Sequence, residues 1–119
     1  MLEYKTNQFL IVERAYQSGY GIHGNSVKIY GVILDSRTIN TLDIQSLKDK
    51  KELVVKKNLL FDFNSVRGEL TQNVIDNIEG ITLGPTLSNG NQSLILVSDD
   101  NFQKFGKQLN QFILLEITE

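Results

Sequence analysis

The chain has 119 residues, with twelve basic and fourteen acidic side chains and a formal net charge of −2; that length allows one domain with a modest core, and that balance offers no electropositive surface for a nucleic acid. With no cysteine and one histidine, disulfides and the usual zinc ligand sets are excluded. No apolar run approaches the ~20 residues of a membrane-spanning helix, and the opening Met-Leu-Glu-Tyr-Lys-Thr-Asn lacks the basic-then-apolar pattern of a signal peptide.

The chain enters its first strand within about eight residues, as a domain cut from a longer protein would. Residues Gln8 to Glu13 form a continuous apolar run bounded by polar residues, which predicts a strand buried on both faces. From Arg14 to Ser26 a loop is expected, with Gly19, Gly21, Gly24 and Asn25 supplying permissive backbone positions. Val27 to Leu34 alternates as a half-buried strand. Asp35 to Glu52 has Asp/Ser/Asn turn chemistry and ends in Lys48, Lys50 and Lys51, a solvated hairpin tip or one short helical turn. Leu53 to Phe63 reads as an outer strand with Lys56 and Lys57 facing water, and Asn64 to Asp76 as a loop with a short helical turn.

Ile78 to Leu83 is the next expected strand. Gly84 to Asn91 is a turn rich in Gly, Pro, Ser and Asn, Leu94 to Val97 a strongly β-forming strand, Asp100 to Leu109 a loop, and Gln111 to Ile117 the closing strand. No helical period extends over twelve residues or more, so the class is all-β. Phe9–Arg14, a loop and Val27–Leu34 are echoed by Leu94–Asp99, a loop and Gln111–Ile117. This repetition of short antiparallel strands predicts about one and a half β-propeller-type blades. The first of these would lack its inner strand, which is expected before Met1. Strand edges left open in this way are expected to leave the chain marginal, or to be covered by self-association as a homo-oligomer.

Chemistry concentrates between Asn77 and Phe102. Two antiparallel strands joined by a turn bring the start of the first to the end of the second, so Asn77 and Glu79 should lie near Asp99, Asp100 and Asn101. Glu79, Asp99 and Asn101, with Asp100 and Asn77 as further candidates, form the kind of oxygen-rich rim that suits a hard cation such as calcium. Such a cation would orient a phosphate ester. The competing reading is an Asx turn at Asp99–Asn101 and a loop cap at Glu79; the Asp-x-Asp-x-Asp-Gly spacing of a helix–loop–helix calcium site is missing. Glu13 and Arg14 either line a pocket, with Arg14 meeting an anionic substrate group, or join an internal salt bridge such as Arg14 with Glu79 or Asp99. The salt bridge is the preferred expectation.

His23 has no Gly-x-Ser-x-Gly nucleophile elbow to serve and reads as an exposed loop residue. The rings of Tyr16, Tyr20, Tyr30, Phe102, Phe105 and Phe112 are assigned to packing ahead of ligand stacking. Gly19, Gly21 and Gly24 precede no helix pattern and no Lys-Ser/Thr, so they are not a phosphate loop. Asn91-Gln92-Ser93 is a glycosylation triplet in spelling.

The ordered set Leu-Ile-Val-Glu-Arg-Ala-Tyr, a Gly-rich loop, Val-Lys-Ile-Tyr-Gly-Val-Ile-Leu, Asn77-Ile-Glu-Gly-Ile and Val-Ser-Asp-Asp-Asn-Phe resembles the late section of the phytase-like, "esterase-like activity of phytase" family, over roughly residues 7–117. The resemblance implies a secreted or periplasmic propeller-like domain with calcium-assisted phosphoesterase or esterase activity, acting on a small phosphate ester or ester. It also implies that this chain is the C-terminal piece of a domain several times longer, not expected to turn over substrate by itself. The alternative is a non-catalytic propeller module that packs or binds a partner.

Overall fold

Period-two alternation along short apolar segments builds two antiparallel sheets. A computed structural model describes residues 1–104 and 108–118. The first sheet runs in the order β1 (Leu2–Lys5), β2 (Gln8–Tyr16), β3 (Asn25–Ile33) and β4 (Lys57–Asp62). The second contains β5 (Ile78–Thr86), β6 (Gln92–Ser98) and β7 (Phe112–Ile117). Every neighbour is antiparallel and follows in chain order, so each sheet is a meander. Among the described residues the only helical pieces are short 3-10 turns. The chain is all-β, as its periodicity implies.

The first sheet has four strands, not three. Leu2–Lys5 forms an additional strand that pairs antiparallel with β2. It turns into β2 through Thr6 and Asn7, where Asn7 takes φ 60°, a left-handed position that asparagine tolerates. The turn is tied by the Asn7 N–H donating to Glu3 Oε1 at 2.8 Å and by the Leu34 N–H donating to the Asn7 carbonyl at 2.9 Å. Strand β2 also runs three residues beyond Glu13, because the ladder pairing Arg14–Tyr16 with Asn25–Val27 needs only backbone groups. Within the Asp35–Glu52 connection, Lys51 opens one short 3-10 turn, Lys51–Leu53. The outer strand begins at Lys57.

The sheets pack on each other through one face each. Leu10, Val27 and Ile29 from the first meet Ile78, Leu94 and Leu96 from the second, with Phe63 and Ile75 between them. The run Phe9–Val12 is fully buried only at Leu10; Phe9 and Ile11, on the opposite face, are half-buried, so the expectation of burial on both faces holds only in part. The stretch expected as a loop from Asn64 holds two 3-10 turns, Phe63–Glu69 and Thr71–Asn73. It then passes through the buried residues Val74, Ile75, Asp76 and Asn77.

Asp62 ends β4 and caps the first of these turns. Its Oδ1 accepts from the Asn64 N–H at 2.9 Å, and its Oδ2 lies 3.5 Å from Lys28 Nζ, its partner in the strand register. The Asn64 N–H, then the Asn64 amide and the Lys28 charge, hold this carboxyl below its ordinary 3.8. A depressed folded-state pKa gives stability that is present above the unfolded value and lost as pH falls through the folded one. Asp62→Ala is therefore expected to cost about 1 kcal/mol at neutral pH, as the loss of a helix cap does. In chemical denaturation the gap from wild type should close in strong acid; a gap that persists there would remove the carboxylate from the explanation.

Candidate functional site

The ends of β2 and β6 and the start of β5 meet at one rim of the two sheets. A cleft of about 610 Å³ opens there, within the range of small-molecule sites. Strand β2 contributes Arg14 and Tyr16, the following loop Gly21 and Ile22, and the start of β3 Asn25. Asp76, Asn77 and Glu79 enter from the lead into β5, and Asn101 and Gln108 from the connection after β6.

The hairpin β5–β6 brings the ends of its strands together as its topology requires. Ile78 pairs with Ser98, and the Asp99 N–H donates to the Asn77 carbonyl at 3.0 Å. Gly80 is needed for this approach, since a Cβ there would come within 2.5 Å of Val97 Cγ1. Of the expected site residues, Arg14, Asn77, Glu79 and Asn101 share the cleft. Asp99 and Asp100 are not among its lining residues. The Asp100 Oδ1 instead accepts from the Phe102 N–H at 3.0 Å, capping the 3-10 turn Asn101–Gln103.

Arg14 donates to Glu79 Oε1 at 3.3 Å, the inter-sheet salt bridge expected from sequence. Asn77 Nδ2 donates to the same oxygen. Both members of the ion pair are roughly two-fifths exposed, so the pair contributes about 0–1 kcal/mol and acts mainly to orient the two side chains. Glu13 does not join them. Alternation along β2 turns it to the other face, where it pairs with Lys57, whose Nζ lies 4.4 Å over the Tyr30 ring. The placement of Glu13 in a substrate pocket with Arg14 is corrected accordingly.

The central residue of the rim was not foreseen. Asp76 is 2% exposed. Its Oδ1 accepts from the Asn77 N–H at 2.8 Å and from Gln108 Nε2 at 3.2 Å, and its Oδ2 from the Leu109 N–H at 2.6 Å. Gln108 in turn accepts from Asn101 Nδ2 at 3.3 Å. Asp76 thus joins the segment before β5 to the connection that precedes β7. Its signal in the sequence is a charged residue inside the apolar run Val74-Ile75-Asp76-Asn77-Ile78, where burial demands partners.

These donors do not fit calcium. Among the described residues no group of three or more His, Cys, Asp or Glu side chains is placed to hold a metal ion. The Glu79 carboxylate already serves Arg14 and Asn77, and a guanidinium beside a dication would repel it. Asp100 is spent on its turn. The rim is arranged for hydrogen bonding.

Four of the aromatic rings depart from the packing assigned to them. Tyr16, Tyr20, Phe102 and Phe112 are all exposed, and Phe105 lies outside the described residues. Tyr30 is half-buried as expected, and the rings packed in or against the core are Phe63, Phe61 and Tyr4. His23 is an exposed residue of the turn Gly21–His23. The Asn91 side chain donates to Glu116 Oε1 and the Ser93 hydroxyl to the Pro85 carbonyl. Gln92 and the fully buried Ser93 of the glycosylation triplet belong to β6, and Asn91 directly precedes it.

Comparison with curated proteins and with solved structures gave no match. A family model described as Phytase-like, "Esterase-like activity of phytase", matches residues 1–102. That span takes in both sheets as far as the end of β6 and all the cleft residues up to Asn101, and by it the chain belongs to the phytase-like family.

Proposed function

We propose that the chain supplies the oxygen-orienting part of an ester-hydrolysing site, located in the cleft between its two sheets. The observation that carries this reading is the convergence of Arg14, Asn77, Glu79 and Asn101 there, on segments matched by the family model. Arg14 uses one N–H on Glu79 and has further donors for the carbonyl or phosphoryl oxygen of an ester, on which negative charge develops as the bond breaks. Glu79 holds Arg14 in place and accepts the proton of an attacking water. The two meanders would be consecutive propeller-type blades, an arrangement supported by the contact of β1 with β5. The test is hydrolysis of p-nitrophenyl acetate and p-nitrophenyl phosphate by the protein. Arg14→Ala is expected to lower kcat/KM by about 10²-fold or more, the usual effect of removing one such donor. Turnover equal to wild type in that variant would sink the assignment.

A second reading, a non-catalytic packing module, is favoured by one feature. Among the described residues strand β7 has a neighbour on one side only, and its outer face carries Phe112 at 80% and Leu114 at 55% exposure. An open apolar edge without lysine or proline invites pairing with another strand, here that of a second copy. This reading predicts a molar mass by light scattering that rises with concentration, returning to monomer in Leu114→Lys. A folded wild-type chain that hydrolyses neither ester and self-associates in this way selects the second reading over the first.

A further inference from the structure

The ionic groups of the cleft are already answered within the protein. Arg14 and Glu79 neutralise each other at 3.3 Å, and the buried Asp76 carboxylate is taken up by three N–H groups. With one guanidinium against two carboxylates, a polyanion entering here would sit beside a surplus negative charge. The open polar atoms belong mostly to carboxamides. Asn77 and Asn101 each have the NH₂ end tied, to Glu79 and Gln108 respectively, which leaves both Oδ1 atoms at fixed orientations. The Asn25 side chain is also in the lining.

Beside these amides stands an aromatic surface. Tyr16 ends β2, lines the cleft and is 60% exposed. Its ring rests against Gly24, where a Cβ would approach it to 2.7 Å. The glycine leaves room for one edge of the ring, while most of the side chain stays exposed. A rigid ring next to pre-oriented amides is a low-entropy arrangement for recognition. Amide oxygens and NH₂ groups complement adjacent hydroxyls, each a donor and an acceptor, and the ring face covers an apolar C–H surface.

We propose that this cleft recognises a neutral polyhydroxylated ligand, a saccharide, through Asn25, Asn77, Asn101 and the ring of Tyr16, without a metal ion. The inference rests on the proposed function only for the location of the ligand. In that setting the sugar is the alcohol part of the ester.

The test is titration of the protein with glucose, galactose, N-acetylglucosamine and cellobiose, followed through side-chain amide signals in ¹H–¹⁵N spectra, in EDTA and again with added calcium. At least one sugar should move the Asn25, Asn77 and Asn101 NH₂ signals with a Kd of about 1 mM, equally in both buffers. Tyr16→Ala, a change at an exposed position, should weaken that binding about 10-fold or more with the backbone spectrum otherwise preserved. No response from any of the four sugars at about 50 mM, far above that Kd, overturns the proposal. So does binding that needs calcium. Because binding is read without turnover, a protein that binds sugar but hydrolyses nothing loses the esterase reading alone, and one that hydrolyses esters but ignores sugars loses this inference alone.

Discussion

Phe63→Ala is expected to destabilise the protein by about 3–5 kcal/mol, the range for emptying a buried aromatic site. Phe63 has no exposed surface and meets Phe61 edge to face at a centroid distance of 5.1 Å. It belongs to a cluster that draws residues from both sheets, together with Leu10, Ile29, Ile75, Leu94 and Leu96. Removing the ring therefore opens a cavity between the sheets, where neither can close it without moving the other. A domain of this size has a total stability of roughly 5–15 kcal/mol, so the loss takes a large share of it. Urea denaturation should show a much lower midpoint with an unchanged slope. Phe112→Ala, at a ring that is 80% exposed, should stay within about 0.5 kcal/mol of wild type. Similar costs for the two variants would mean that the sheets do not share a core through Phe63.

The strands were legible wherever apolar residues recur on one face. Val27–Leu34, Leu94–Val97 and Gln111–Ile117 each lie within about two residues of an observed strand. What escaped was structure with no side-chain period. Leu2–Lys5 has only four residues, too few for alternation to stand out. The extension of β2 through Arg14, Ala15 and Tyr16 is made by backbone pairing with Asn25–Val27, which composition does not encode. Val74–Asn77 is buried without being regular, so neither helical nor strand periodicity marks it.

At the candidate site, topology was legible and side-chain direction was not. That Asn77 should adjoin Asp99 follows from any antiparallel hairpin, and the backbone bond between them is present. Which of Asp99, Asp100 and Asn101 faces the cleft depends on where the strand ladder stops and the capped turn begins, and on the register shift between Ile78 and Gly80. Each shifted residue reverses the faces. The division of Glu13 from Arg14 was there to be read, because neighbours on a strand point to opposite faces and the ladder through both is unbroken. The exposed rings of Tyr16 and Phe112 show the limit of hydrophobicity as a guide: a large side chain at the end of a strand has core available on one side only.

Asp76→Ala is expected to cost about 3 kcal/mol or more, because it strands buried donors as well as removing bonds. The Asn77 and Leu109 N–H groups would lose their acceptor in a place with little access to water. Gln108 would lose the bond that holds it under Asn101. Asp76→Asn keeps the shape but turns an NH₂ toward at least one of these donors, so a loss of about 1–3 kcal/mol is expected from one unsatisfied group. Glu79→Gln, at a side chain 46% exposed, should change stability by about 1 kcal/mol or less. The measurement pairs denaturation midpoints with the side-chain amide signals of Asn101 and Gln108. Both signals should move in Asp76→Asn even under conditions where that variant remains folded, since their tether has changed. If Asp76→Ala loses less than about 1 kcal/mol and leaves the Asn101 signal in place, water has replaced the carboxylate and Asp76 does not hold the rim together. If the loss is as large as expected, one buried carboxylate sets both the joining of the last strand to the core and the orientation of the amides that face a ligand.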